Sequence, residues 1–160
     1  MAGCTTQDLP ESWRPITTLI ERGDTPGVGE GIITTISPYL YTDSIDKFNE
    51  YYPEGSISHE ALRRHELEHA RDQEAYIGDA TGVLRKSRIT SWIYQYIHSK
   101  EFRWNVEKKG YKAEILYLKR MNMRISPAAY AFILSGETYR GMVSTEDALN
   151  WVNNVLAGKE

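Results

Sequence analysis

The sequence has very little cysteine: Cys4 is the only one among 160 residues. A single thiol excludes a disulfide within the chain, so we expect the fold to be stabilised by packing or by a bound metal. Lysine and arginine (19) do not outnumber aspartate and glutamate (22), and the net charge is -3. The chain therefore lacks the basic field typical of nucleic-acid-binding proteins, and we expect no nucleic-acid partner.

Long hydrophobic runs are absent as well. No segment approaches the roughly 18 consecutive apolar residues that a membrane-spanning helix requires. Met1-Ala2-Gly3-Cys4 is similar to the end of a lipoprotein cleavage site, but no apolar segment precedes it, so we predict no signal peptide. The expectation is a soluble, cytoplasmic protein.

The first part of the chain is irregular in composition. Residues 1–30 contain several prolines and glycines, which predict an irregular N-terminal arm with a short helix from about Trp13 to Glu21. Residues 31–41 are dense in β-branched and aromatic side chains, which favour a strand or a two-stranded ribbon. Pro38 indicates a bend or a sheet edge within this segment.

The rest of the chain has mainly helical patterns. The segment from Ile89 to His98 suits either a helix or a strand. Helices are predicted over residues 44–52, 59–77 and 101–120, from Ser126-Pro127 to Gly136, and after the cap residue Ser144. The sequence therefore predicts an α+β, mainly helical domain over residues 31–160.

One predicted helix, from His59 to Ile77 with Ser58 as its N-cap, carries ionisable groups on the side that should be apolar. The residues that recur at helical spacing on that side are Leu62, His65, Glu66, His69, Gln73 and Tyr76. A protein core does not normally accept two imidazoles and a carboxylate without a compensating partner. This side of the helix therefore indicates a binding site, the alternative being a solvated charged face.

His65, Glu66 and His69 form the sequence His-Glu-x-x-His (HExxH), which is typical of zinc sites. Residues four apart lie one above the other on a helix, so the two imidazoles can hold one ion between them. Glu66 directly follows the first of them, which lets its carboxylate take a proton from a water bound to the ion. The motif predicts a Zn²⁺ site with Glu66 as general base and then general acid in hydrolysis.

A catalytic zinc ion needs a third protein ligand and an open coordination position. No further histidine follows the motif at short spacing, and we expect His59 and His98 to be ordinary surface or core residues. The helix predicted over residues 101–120 carries carboxylates within an aromatic and aliphatic stripe. Glu107 and Glu114 on this helix are the candidate third ligands.

The motif and this second helix resemble the gluzincins, a family of zinc metallopeptidases that pair HExxH with a glutamate on a following helix. Several branches of that family carry Glu-x-x-Ala followed by an acidic or aromatic residue. Glu107-Lys108-Lys109-Gly110-Tyr111 matches this pattern in outline, with glycine in place of alanine and tyrosine in the last position. The small residue implies that the two helices approach closely enough to share the ion.

The stretch from Ile32 to Glu114 is also similar to small HExxH proteins of bacteria and their phages. These proteins share a β-branched strand ahead of the motif, here Ile32-Ile33-Thr34-Thr35-Ile36, and a glutamine after it, here Gln73. We expect Gln73 to pack or to support a ligand, not to catalyse. The resemblance implies a zincin-like domain of minimal gluzincin type over residues 31–160, with a small edge-strand sheet over the HExxH helix.

The resemblance implies a peptide or protein substrate and three zinc ligands, His65, His69 and Glu107. Glu114 is the alternative third ligand; otherwise it accepts a hydrogen bond from a ligand histidine or pairs with an arginine. Tyr111 is a candidate catalytic residue that stabilises an oxyanion, or else a buried structural tyrosine. The predicted strand either binds substrate as an added strand or only covers the core.

Two alternatives for the function stay open in the sequence. The first is a structural or assembly protein, such as a virion component of a phage, that keeps zinc for stability. The second is a lysin that acts on peptidoglycan cross-links with the same fold and the same ion. The first alternative adds a virion to the expected locations of the protein and a larger assembly, such as a virion, to its expected partners.

Overall fold

The computed structural model describes residues 5–22 and 33–160, in which a small sheet precedes a set of helices. The strands are β1 (Thr5–Asp8), β2 (Thr18–Glu21), β3 (Thr34–Ile36) and β4 (Tyr39–Thr42). The α-helices are α1 (Ile45–Tyr51), α2 (Ile57–Ile77), α3 (Gly82–His98), α4 (Lys100–Arg120), α5 (Pro127–Ser135) and α6 (Thr145–Leu156). Short 3-10 turns lie at Glu11–Trp13 and Glu137–Tyr139. The predicted α+β, mainly helical fold is confirmed.

The sheet has the strand order β1-β2-β4-β3, so β1 and β3 form its edges. The β1/β2 and β3/β4 pairs are antiparallel, whereas β2 and β4 are parallel. β3 and β4 form a hairpin with Pro38 in its turn, which confirms the ribbon among the structures predicted for residues 31–41. Gly31 and Ile32 of that prediction, and the Met1–Cys4 segment, lie outside the described residues.

The structure describes residues 5–22 of the predicted irregular arm (residues 1–30), and over much of this part the prediction is wrong. Two of its segments form β1 and β2, and Leu19 of β2 pairs with Leu40 of β4 in the middle of the sheet. Each of these strands has only four residues. That length is too short for alternating hydrophobicity to be distinguished from an irregular segment.

The short helix predicted from Trp13 to Glu21 is also wrong. A 3-10 turn ends at Trp13, and β2 begins at Thr18. The proline at position 15 disfavours helical backbone at the residue before it, Arg14. The β-branched residues that follow favour the extended conformation instead.

α2 begins at Ile57, two residues before its predicted start. The hydroxyl of Ser56, not that of Ser58, accepts a hydrogen bond from the backbone N–H of His59 at 3.1 Å and caps the helix. The other predicted helices are confirmed within one or two residues at each end, and the ambiguous segment 89–98 is helical as part of α3. Among the helices described, none combines the length and the apolar character needed to cross a membrane.

Two hydrophobic clusters form the core of the described chain. The first lies between the sheet, α1 and α2, and its buried members are Trp13, Ile16, Leu19, Leu40, Ile45, Phe48, Leu67 and Ala70. The second lies between α4, α5 and α6, and its buried members are Tyr111, Ile115, Ala131, Leu134, Met142, Ala148, Trp151, Val152 and Val155. Because α2 packs along α4, the interface of these two helices joins the two clusters.

We expect Leu40→Ala to lower the free energy of unfolding by about 2–5 kcal/mol, because Leu40 is fully buried at the centre of the sheet. Leu84→Ala is the matched control. Leu84 is 53% exposed on α3, and its replacement should change the stability by less than about 0.5 kcal/mol. Urea unfolding followed by circular dichroism measures both variants. Equal losses in the two would contradict the burial of Leu40.

Candidate metal centre

His65, Glu66 and His69 lie near the middle of α2 on its buried side. Their exposed fractions are 5%, 5% and 8%, respectively. The two imidazoles are one helical turn apart, and their Nε2 atoms lie 2.9 Å from each other. One potential ligand atom from each of the three residues lies within 4.8 Å of the other two. The structure therefore brings the three predicted side chains together inside the domain.

Glu107 faces this group from α4 and is only 2% exposed. One oxygen of its carboxylate lies 3.5 Å from His65 Nε2, and the other lies 3.6 Å from His69 Nε2. Tyr96, near the end of α3, donates a hydrogen bond to the same carboxylate. Side chains from α2 and α3 thus position Glu107 against both imidazoles.

Glu114 lies two turns further along α4 and contacts the other nitrogen of the His65 ring. Its Oε2 is 3.0 Å from His65 Nδ1, and its Oε1 accepts a hydrogen bond from Tyr130 at 2.6 Å. A hydrogen bond at Nδ1 fixes the orientation of the imidazole and leaves Nε2 for a metal. The geometry therefore favours Glu107 as the third ligand and Glu114 as the residue that orients His65.

The donor atoms fit a zinc ion. Ligand atoms bound at about 2.0–2.1 Å in a tetrahedral arrangement lie roughly 3.3 Å apart. Here the two Nε2 atoms lie 2.9 Å apart, Glu107 Oε2 lies 3.5 Å from His65 Nε2, and Glu107 Oε1 lies 3.6 Å from His69 Nε2. Among the described residues, Glu107 Oε2 is buried without a hydrogen-bond partner, and a bound cation would satisfy it. Two imidazoles and one carboxylate are also a donor set found in zinc hydrolases.

Tyr111 packs against the site with its ring and not with its hydroxyl group. The ring meets that of His65 edge-on, with the centroids 4.4 Å apart. The hydroxyl oxygen lies 2.8 Å from that of Tyr139. This placement favours a buried structural tyrosine over a residue that stabilises an oxyanion.

Tyr96 and Tyr130 belong to the site but were not identified from the sequence. Each donates a hydrogen bond to a buried or half-buried carboxylate, Tyr96 to Glu107 and Tyr130 to Glu114. They come from α3 and α5, so the helical spacing within α2 and α4 carries no information about them. The one available signal is the large number of tyrosines in the chain, 11 in total.

The remaining predicted residues lie away from the imidazole pair. The ring of His59 packs on Trp13 with centroids 5.3 Å apart, and that of His98 packs on Tyr94 at 4.3 Å. Gln73 is buried and binds the backbone of β3. None of these three side chains is among those that meet at His65 and His69.

Gly110 lets α4 approach the ring of His65. A Cβ atom at this position would lie 2.7 Å from His65 Cδ2 and 2.8 Å from its Nε2, closer than real side-chain atoms pack. The close approach predicted at this glycine is confirmed. Any larger residue must displace either the imidazole or the helix.

Burial and neighbouring charges act in opposite directions at the centre of the site. Burial lowers the pKa of His65, but the neighbouring carboxylates of Glu107 and Glu114 outweigh it and hold the pKa well above its usual 6.5. Burial raises the pKa of Glu107, but His69, His65 and Tyr96 outweigh it and lower the pKa to about 2. In the metal-free site, each of these two groups therefore favours the charged form of the other.

No protein-family model, no curated protein and no solved structure matches this chain. We therefore infer its function from the geometry and the chemistry of the site. The gluzincin resemblance stays a prediction that is based on the HExxH motif and on the segment from Glu107 to Tyr111.

We expect Gly110→Ala to weaken zinc binding by at least about tenfold, because the added methyl group displaces a ligand imidazole. Alanine favours a helix over glycine by up to about 1 kcal/mol, so the helical content should be retained. Leu116→Ala, at an exposed position of the same helix, is the control and should bind zinc like the parent. Competition with a chromophoric chelator measures the affinities. Equal affinities in all three proteins would contradict the close contact at Gly110.

The stability of the metal-free protein should depend on pH in two ways. The pKa of Glu107 is lowered from 4.5 to about 2, so its contribution is present above pH 4.5 and is lost as the pH falls toward 2. The pKa of His65 is raised, so its contribution is present below pH 6.5 and is lost as the pH rises through the raised value. We therefore expect the highest thermal midpoint between pH 4.5 and 6.5.

Thermal unfolding in the presence of a chelator checks this expectation. The acid-side loss from Glu107 alone amounts to as much as roughly 3 kcal/mol. Glu107→Gln removes the titrating group and should flatten the acid side of the profile. A parent protein whose midpoint rises steadily from pH 6.5 upward would contradict the raised pKa of His65.

Proposed function

We propose that this protein is a zinc-dependent metallopeptidase of the gluzincin type. The observation that carries the proposal is the convergence of His65 Nε2, His69 Nε2 and the Glu107 carboxylate, which lie 2.9 to 3.6 Å apart. Glu66 adds a second carboxylate beside this donor set. A carboxylate that is not required as a ligand but lies next to the ligands is what metal-assisted hydrolysis needs.

In the proposed reaction, His65, His69 and Glu107 would hold the ion, and Glu66 would transfer the proton. A bound zinc ion lowers the pKa of a water molecule toward neutrality and polarises a carbonyl group. Glu66 accepts a proton from the attacking water and then donates it to the leaving amine. A ligand carboxylate must be ionised, and in the metal-free site the pKa of Glu107 is already lowered to about 2.

The position of the sheet supports a peptide or protein as the substrate. β3 is an edge strand and packs on α2, the helix that carries the HExxH motif. Zinc peptidases commonly bind an extended substrate beside an edge strand in this position. Such a substrate would pair with the part of the edge ahead of Thr35, because Gln73 of α2 occupies the carbonyl of Thr35 and the N–H of Ser37.

A zinc site that serves only stability, in a structural or assembly protein, is the second candidate. The low exposure of the three ligands, at most 8%, favours it, because structural zinc sites are closed. The two candidates predict the same zinc content. They differ in whether the replacement of Glu66 slows peptide cleavage.

The purified protein should contain about one zinc ion per chain, as measured by elemental analysis. His69→Ala and Glu107→Gln each remove a ligand and should lose most of the metal. Glu114→Gln removes only the hydrogen bond to His65 Nδ1, and we expect it to retain zinc with an affinity about 10–100-fold weaker. A parent protein that stays free of zinc after reconstitution would overturn both candidates.

Glu66→Gln should keep its zinc and cleave a library of unstructured peptides about 10²–10⁴ times more slowly than the parent, because it has lost the general base. Glu68→Gln, on a more exposed part of the same helix, is the matched control and should cleave like the parent. Mass spectrometry of the peptide products measures the rates. Zinc-loaded parent and Glu66→Gln proteins with equal rates, or a parent that cleaves nothing, would leave only the stability role.

A further inference from the structure

Glu66, the proposed general base, is held by a residue of the sheet. Thr35 of β3 donates a hydrogen bond from Oγ1 to Glu66 Oε2 at 2.7 Å, and both side chains are buried. This distance is typical of a hydroxyl group bound to a carboxylate. The bond engages one oxygen of the carboxylate and leaves the other, Oε1, for proton transfer.

Thr35 is itself fixed by a second side chain from α2. Gln73 is fully buried; its Nε2 donates to the carbonyl oxygen of Thr35, and its Oε1 accepts from the N–H of Ser37, both at 2.8 Å. On its other side β3 pairs with β4, where Thr35 lies opposite Leu40. The backbone of Thr35 is therefore held from both sides, and its hydroxyl group keeps a fixed place relative to α2.

Ser37 adds another attachment between the hairpin and α2. Its Oγ donates to Glu74 at 2.5 Å, and Glu74 in turn pairs with Arg85 of α3. Gln73 and Glu74 follow Glu66 by seven and eight positions, about two helical turns, so all three point to the same side of α2. The strand is thus aligned along the helix at the level of the imidazole pair.

We propose that Thr35 is a positioning residue for Glu66, and that Gln73 holds Thr35 in the register that this role requires. The proposal rests on the function proposed above. A carboxylate rotates easily about its last bond, and proton transfer is fast only from a narrow range of orientations. The Thr35 hydroxyl restricts that rotation, so that the carboxylate keeps one orientation beside His65 and His69.

Two substitutions at Thr35 and one matched control test the proposal. Thr35→Val replaces the hydroxyl group with a methyl group, whereas Thr35→Ser retains it. Thr34→Val makes the same chemical change at the neighbouring position, whose side chain lies on the opposite face of the strand. If valine at position 35 prevents folding, Thr35→Ala provides the same test.

In the zinc-loaded proteins, we expect Thr35→Val to lower kcat for hydrolysis of the peptide library by about tenfold or more and to change KM by less than about twofold. Thr35→Ser and Thr34→Val should keep the kcat of the parent. The zinc content should be the same in all four proteins. Loss of zinc from Thr35→Val, or an unchanged kcat, would overturn the positioning role.

Crystal structures of the four zinc-loaded proteins give a readout that does not depend on activity. The Glu66 carboxylate should keep one orientation in the parent, Thr35→Ser and Thr34→Val, and it should turn or become disordered in Thr35→Val. An unchanged Glu66 in Thr35→Val would refute the proposal. A displaced Glu66 in a protein whose parent cleaves no peptide would support the positioning by Thr35 and reject the peptidase function.

Discussion

The packing of α2 against α4, made possible by Gly110, brings ionisable side chains together away from water, and the rest of the domain is arranged around their burial. An unpaired buried charge costs several kcal/mol. In this site, three carboxylates each accept a hydrogen bond from a hydroxyl group on a different element. The donors are Thr35 on β3 for Glu66, Tyr96 on α3 for Glu107 and Tyr130 on α5 for Glu114. One strand and two helices outside α2 and α4 thus each contribute one group to the compensation.

The two hydrophobic clusters explain why those donors arrive at the right place. The cluster between the sheet, α1 and α2 fixes β3 relative to the HExxH helix, while the cluster between α4, α5 and α6 fixes Tyr130. The two short C-terminal helices provide none of the proposed metal ligands. Their apolar faces nevertheless determine where α4 and its glutamates lie, because buried packing is rigid.

The sequence predicts the local part of this site well. His65, Glu66 and His69 are close in the chain and share one helix face, and Glu107 and Gly110 are one turn apart on another, so helical spacing alone relates them. The ends of both long helices are predicted to within two residues. The contacts that distinguish Glu107 from Glu114, however, depend on the relative position of α2 and α4, which no pattern within one helix contains.

The non-local part could not be predicted. The bond between Thr35 and Glu66 joins residues 31 positions apart, and that between Tyr130 and Glu114 crosses from α5 to α4. Such contacts depend on tertiary packing, and a single sequence carries no signal for them. β1 and β2 were missed because four-residue strands are too short to show a period.

Gln73 also affects how the sheet meets other chains. An edge strand normally presents free N–H and C=O groups that recruit further strands and promote aggregation or domain swapping. Here the side-chain amide of Gln73 donates a hydrogen bond to the carbonyl oxygen of Thr35 and accepts one from the N–H of Ser37, as the backbone of a neighbouring strand would. The end of β3 nearest the turn is therefore closed to strand addition by a second copy of the protein. A peptide that extends the sheet along this edge must pair with the chain before Thr35.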